Sequence, residues 1–179
     1  MRKTMNKNSI IKKVISSLVI CFLGVMSYKM YQKMSHKKQV AQQIAMLPAF
    51  SFTDLEGNTF TNNNLKENIA TIFVYFNSEC DYCLHEAQSI QKNLSQFDEV
   101  YFVFVSIEPI ENIKKFAQEQ QLLGVENVTF LQDASFVFSQ KFDANRIPYL
   151  LIYNKSKKLI YKHKGQIKAE TILRVLEKQ

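Results

Sequence analysis

Little in this sequence can staple or punctuate a chain: three cysteines, three prolines and four glycines are spread over 179 residues, and tryptophan is absent. Three cysteines are too few for a disulfide framework, which in a small exported domain shows more of them at wider spacings. They are also too few for a four-ligand zinc site without partners from elsewhere. Internal repeats and low-complexity segments are lacking, and the length fits one core-bearing domain rather than two. Acidic residues are missing altogether from residues 1–40, which hold 9 of the 23 Lys and Arg, leaving 14 basic against all 16 acidic residues in the rest of the chain. The formal charge of +7 therefore belongs to the N-terminus. A basic, nucleic-acid-binding face spread over the fold is excluded.

What the N-terminus does contain is a basic segment with Arg2, Lys3, Lys7, Lys12 and Lys13, then an uncharged apolar run from Val14 to Tyr28. Lys12, Lys13 and Lys29 can snorkel, Tyr28 and Tyr31 suit a membrane interface, and no small-residue cleavage site follows. The pattern predicts an uncleaved signal anchor. Cys21 lies within the run, behind a bulky Ile20 where a lipid-modified cysteine wants a small neighbour, so it reads as a buried membrane cysteine. The expected organisation is a basic cytoplasmic segment at 1–13, a transmembrane anchor at 14–31, a polar stalk at 32–48 and a soluble domain at 49–179. That domain is expected outside the cytoplasmic membrane, where disulfides persist.

From Phe50 onward the pattern is that of an α/β domain. Phe50–Phe52 and Thr59–Phe60 flank a Gly57 turn and predict a hairpin. ATIFVYF at 70–76 and VYFVFVS at 100–106 are buried strands without a charge; 128–131, 149–153 and 158–162 are further strands. Helices are predicted after the first cysteine, around 111–121, at 135–142 and at 169–178. The fold class is a central mixed sheet flanked by helices, with an N-terminal hairpin.

Cys80 and Cys83 fall between the first buried strand and the helix after it. A helix N-terminus carries unpaired amides and partial positive charge, which favour a thiolate on the first cysteine. One turn later the second thiol can resolve a mixed disulfide. Cys80 is thus the candidate nucleophile and Cys83 the resolver.

Over residues 48–179 the chain resembles the thioredoxin-like superfamily, and more closely its membrane-anchored TlpA/ResA-type thiol-disulfide oxidoreductases. The resemblance rests on Phe52-x-Asp54-x-x-Gly57 in the hairpin, Phe73–Phe76 in the central strand, Cys80-x-x-Cys83, Ile147–Pro148 before a strand, and Gly165 before the last helix. It implies that Glu86, three residues after Cys83, is an active-site glutamate able to exchange a proton with Cys83. It also implies a cis Pro148, with Ile147, Pro148 and Tyr82 contacting a polypeptide substrate. No cofactor beyond the Cys80–Cys83 pair is expected. The implied partners are protein disulfides or dithiols and a membrane thiol electron donor.

The chain departs from this pattern at Glu79, where an aromatic residue is usual, at Tyr82, where proline is common, and at Val74, where thioredoxin itself has a buried Asp. Glu79 and Asp81 flank Cys80 and disfavour its thiolate, which points to a reductant. His85 stands beside Glu86 and reads as a surface histidine or a helper. A copper chaperone would recruit Cys80, Cys83 and His85 or His163, although His163 lies in the terminal strand. Haem attachment fails because Leu84 follows Cys83. A peroxidase would carry Thr or Ser at the position of Asn77. An anchored, non-catalytic peptide-binding adaptor is the remaining alternative, for which a second thiol has no use.

Overall fold

The structure is a computed structural model describing residues 7–178, with side chains from Ile15 onward. It divides into two compact units at Ala41/Gln42. Helix α1, Lys7–Gln43, is continuous through the segment read as anchor and most of that read as stalk. Ile15, Leu18, Val19, Ile20, Phe22, Leu23, Val25 and Met26 all lie exposed on it. Among the described residues no helix is long and apolar enough to cross a membrane. The apolar run in the sequence starts at Val14, whose side chain lies outside the described residues, as do residues 1–6 of the basic segment.

The second unit begins at Gln42, so residues 44–48 join it. Ile44 is fully buried, its carbonyl accepts the Tyr153 hydroxyl at 3.1 Å, and the Leu47 amide donates to the Lys157 carbonyl at 2.9 Å. A hairpin follows, β1 (Ser51–Asp54) and β2 (Thr59–Thr61). Gly57 turns it at φ +87°, a conformation that side chains with a Cβ rarely adopt. Asp54 closes the loop, its carboxylate accepting the amides of Glu56 and Asn58.

Next come β3 (Ala70–Tyr75), α2 (Asp81–Lys92), β4 (Val100–Ser106), α3 (Ile110–Glu119), β5 (Val128–Gln132), α4 (Val137–Lys141), β6 (Tyr149–Tyr153), β7 (Leu159–Lys164) and α5 (Ala169–Leu176). The seven strands form one sheet in the order β2-β1-β5-β4-β3-β6-β7. The β3–β4 and β4–β5 pairs are parallel, and all others are antiparallel. Both parallel crossovers step the same way along the sheet, and right-handed crossovers then put α2 and α3 on one face. Alternation of side chains along β3 decides what each face receives.

Ile72, Val74 and Phe76 point to the face of α2, α3 and α5, where they meet Ala87, Ile90, Ile113, Phe116 and Ile172. Phe73 and Tyr75 point the other way, into an aromatic layer closed by α4. The Phe73 ring lies 5.5 Å from Phe50, 5.9 Å from Phe138, 6.1 Å from Phe142 and 6.0 Å from Tyr153. Replacing Phe73 by alanine is expected to cost about 3–5 kcal/mol, read as a lower urea midpoint at unchanged slope.

Candidate active site

The C-terminal ends of β3, β4 and β5 lie on one edge of the sheet, and β6 enters from that same edge. Tyr75, the last residue of β3, pairs with Tyr149, the first of β6, and with Val105 of β4. The register places Pro148 level with Phe76, where the chain leaves β3 for the cysteines. The Ile147–Pro148 bond is cis, and the Pro148 carbonyl accepts the Gly165 amide at 2.9 Å. Gly165 holds φ +97°, so a side chain there would be strained. Pro148 is buried, while Ile147 is 38 % exposed.

After Phe76 the chain makes a tight turn, with the Cys80 amide donating to the Asn77 carbonyl at 3.2 Å and the Glu79 amide to Asn77 Oδ1 at 3.0 Å. Cys80 is the N-cap of α2, with extended backbone angles of φ −88° and ψ 112°. Its side chain makes no capping hydrogen bond. Its carbonyl opens the helix by accepting the amides of Cys83 and Leu84. The Cys80 sulfur is therefore carried at the positive pole of a 12-residue helix, half-buried and free.

Cys83, also free, is only 2 % exposed. Burial pushes its thiol well above the ordinary range. The hydrogen bond with Cys80 and the nearby negative charges push the same way, and the Asn77 main-chain amide opposes them in part. The Cys83 thiol is thus held protonated. The two sulfurs are unequal in access.

Glu86 is the residue whose environment departs furthest from a solvated helix face. It lies in the same inward stripe as Cys83, Ala87 and Ile90 and is 0 % exposed. Its Oε2 accepts the Ile167 amide at 3.0 Å, whereas Oε1 is buried without a partner among the described residues. Burial pushes its carboxyl up to about 8, against the lowering effect of the Ile167 bond. Its charge bears on Cys83 and raises that thiol further.

Tyr82 is 65 % exposed on the first turn of α2, and His85, Glu79 and Asp81 are exposed around it. His163 stands in β7 opposite Leu150, its Nδ1 3.5 Å from the Tyr161 hydroxyl. Among the described residues no group of three or more His, Cys, Asp and Glu side chains gathers as a metal site.

Three residues that sequence reasoning passed over shape this edge. Glu108 holds the loop that carries Cys80, through Ser78. Among the described residues, Ile167 alone donates a hydrogen bond to the Glu86 carboxylate, across 81 residues of sequence. Asp133, buried at the end of β5, accepts the Val137 and Phe138 amides and so starts α4. That N-terminus forces Phe136 to φ +58° and leaves its ring half-exposed. Only Glu108 left a trace in the sequence, as a carboxylate two residues beyond an uncharged strand and just before Pro109.

The AhpC/TSA family matches the chain over residues 44–169. No curated protein is significantly similar to it in sequence. Among solved structures it is similar to an uncharacterized thioredoxin-like protein from Porphyromonas gingivalis, with 28% identity, 74% of this chain and 91% of that chain covered, and a TM-score of 0.60. A secreted Mycobacterium tuberculosis disulfide oxidoreductase homologous to E. coli DsbE shares 17% identity over 77% of this chain and 98% of its own, at a TM-score of 0.63. Peroxidoxin BcpB of the same organism shares 16% over 74% and 94%, at 0.65. Likeness at these identities shows the fold.

Proposed function

Because the chain belongs to the AhpC/TSA family and is a thioredoxin-like oxidoreductase, we propose that it exchanges the Cys80–Cys83 dithiol for the disulfides of protein substrates, acting as a reductant. The carrying observation is the unequal pair, with a half-exposed Cys80 at the start of α2 and a buried, protonated Cys83 one turn along. The Cys80 thiolate attacks one sulfur of a substrate disulfide, the S–S bond breaks, and the departing sulfur leaves as a thiol or thiolate. Cys83 then gives its proton to the Glu86 carboxylate and attacks the Cys80 sulfur. The second substrate thiol leaves, and two electrons have passed from the pair to the substrate.

Ile147 and Pro148, level with the start of the motif loop, would align an extended substrate strand, with Tyr82 as an exposed contact beside the sulfurs. The reductant direction is read from the exposed carboxylates Glu79 and Asp81 on either side of Cys80, whose negative charge beside the pair favours the disulfide and hence electron donation. Asn77, in place of the hydroxyl residue of a peroxidase, and a second thiol ready for resolution favour disulfide exchange over peroxide reduction. No organic cofactor or metal has a step in this scheme, and re-reduction would come from a membrane thiol donor.

The proposed location is the extracytoplasmic face of the cytoplasmic membrane, with α1 as the tether. In support, a basic segment free of acidic residues surrounds an apolar run, and the apolar side chains of α1 from Ile15 to Met26 are exposed.

The test is a trap. With Cys83→Ala the exchange should stop at the mixed disulfide, so the full chain should accumulate covalent adducts through Cys80 that a thiol reductant releases. An adaptor that only binds peptides would hold its partners without such adducts, and that result would overturn the catalytic reading.

A further inference from the structure

Glu108 stands on the connection between β4 and α3, and its carboxylate is engaged on both oxygens. Oε2 accepts the Ser78 amide at 2.7 Å and the Ser106 hydroxyl at 2.9 Å, and Oε1 accepts the Ser78 hydroxyl at 2.6 Å. The remainder of the residue is fixed too: its amide donates to Ser106 Oγ at 3.3 Å and its carbonyl accepts Gln132 Nε2 at 2.9 Å. The Glu108 side chain thus joins the loop after β3 to the end of β4, and its main-chain carbonyl adds the end of β5. All three contacts to the carboxylate are made by donors, and charge-assisted bonds of this kind are roughly twice as strong as neutral ones.

Ser78 is two residues ahead of Cys80, inside the turn closed by the Asn77 carbonyl and the Cys80 amide. Its amide and hydroxyl bind the carboxylate together, so the turn cannot rotate without breaking both. With the loop held there, Cys80 stays at the N-cap of α2, where the helix acts on its sulfur. Glu108 also brings a formal negative charge from another element to Ser78, the residue that precedes Glu79 and stands two before Cys80.

We propose that Glu108 is a positioning residue for thiol exchange: through Ser78 it fixes the turn that presents Cys80, and its charge biases the Cys80–Cys83 pair toward the disulfide. This rests on the exchange function proposed above. Neither oxygen of Glu108 is assigned a proton transfer or a substrate contact. The two effects separate by substitution. Glu108→Gln removes the charge and leaves one oxygen to accept two Ser78 donors. Ser78→Ala keeps the charge and removes one donor.

The full chain carrying each substitution is equilibrated with glutathione redox buffers, and turnover is measured on insulin disulfides. Glu108→Gln should move the equilibrium about tenfold toward the dithiol, equal to about 30 mV at two electrons, and lower kcat about tenfold. Ser78→Ala should lower kcat about threefold with the equilibrium unmoved. A Glu108→Gln equilibrium within twofold of wild type, or a fall in turnover that merely tracks lost thermal stability, overturns the proposal. If Glu108→Gln fails to fold, an unchanged kcat in Ser78→Ala does so. The glutathione equilibrium reads the cysteine pair directly, so a wild-type chain that equilibrates normally but turns over no protein disulfide counts against the exchange function and not against the role of Glu108.

Discussion

Replacing Cys80 by serine is expected to move activity and stability in opposite directions. Reduction of insulin disulfides should fall to the uncatalysed background, because a serine hydroxyl supplies neither the thiolate nor the sulfur for a mixed disulfide. The fold should gain. Cys80 occupies the N-cap of α2 with extended backbone angles and makes no capping bond, whereas serine there accepts an amide of the first turn, a contact that stabilises by about 1 kcal/mol. Activity assays and urea denaturation of the same preparation check both halves. Retained turnover would remove Cys80 as nucleophile, and a loss of stability would contradict the N-cap geometry.

The second large effect belongs to Glu86. Its folded-state carboxyl is raised to about 8 from an ordinary value of 4.5, so the folded chain binds a proton that the unfolded chain has released throughout this window. The stabilising contribution is complete below pH 4.5, declines through the window and is lost above about pH 8. At 1.36 kcal/mol per unit the full loss is about 5 kcal/mol, an upper figure for a group held by one hydrogen bond. Glu86→Gln abolishes this slope. The reduced variant and wild type should show similar urea midpoints at pH 5, with the variant pulling ahead as pH approaches 8.5. Parallel profiles would mean that Glu86 is not held protonated. The same substitution should remove the pH dependence of the resolving step, since Cys83 loses its proton acceptor.

The elements of the compact unit were legible because their residues leave few choices. β3 and β4 are uncharged β-branched and aromatic runs, too short for helices, and a Gly57 turn between alternating segments admits a hairpin. The helical stripe through Cys83, Ala87 and Ile90 was also readable from spacing, and the thioredoxin-like resemblance holds. Boundaries were less legible: the segment around 135–142 yields a helix only over Val137–Lys141, because the buried Asp133 carboxylate decides where it starts. Residues 44–48 read as linker, since nothing local says that Tyr153 receives Ile44 from 109 positions away. In the site, Cys80, Cys83 and Glu86 are neighbours along α2 and could be named from the sequence. That the Glu86 carboxylate meets the Ile167 amide, and that Ser78 ahead of Cys80 meets Glu108, is set by contacts distant in sequence. A carboxylate buried through long-range packing looks, in sequence, like any solvated one.

The clasp at the start of the compact unit also fixes a load path. Ile44 and Leu47 fasten to Tyr153 and Lys157, at the far end of β6 from Pro148 and about 17 Å away along the strand. Tension drawn along the preceding chain is therefore taken up by the β6–β7 turn, at the edge of the sheet opposite the sulfurs, and leaves the edge that carries the two cysteines undistorted.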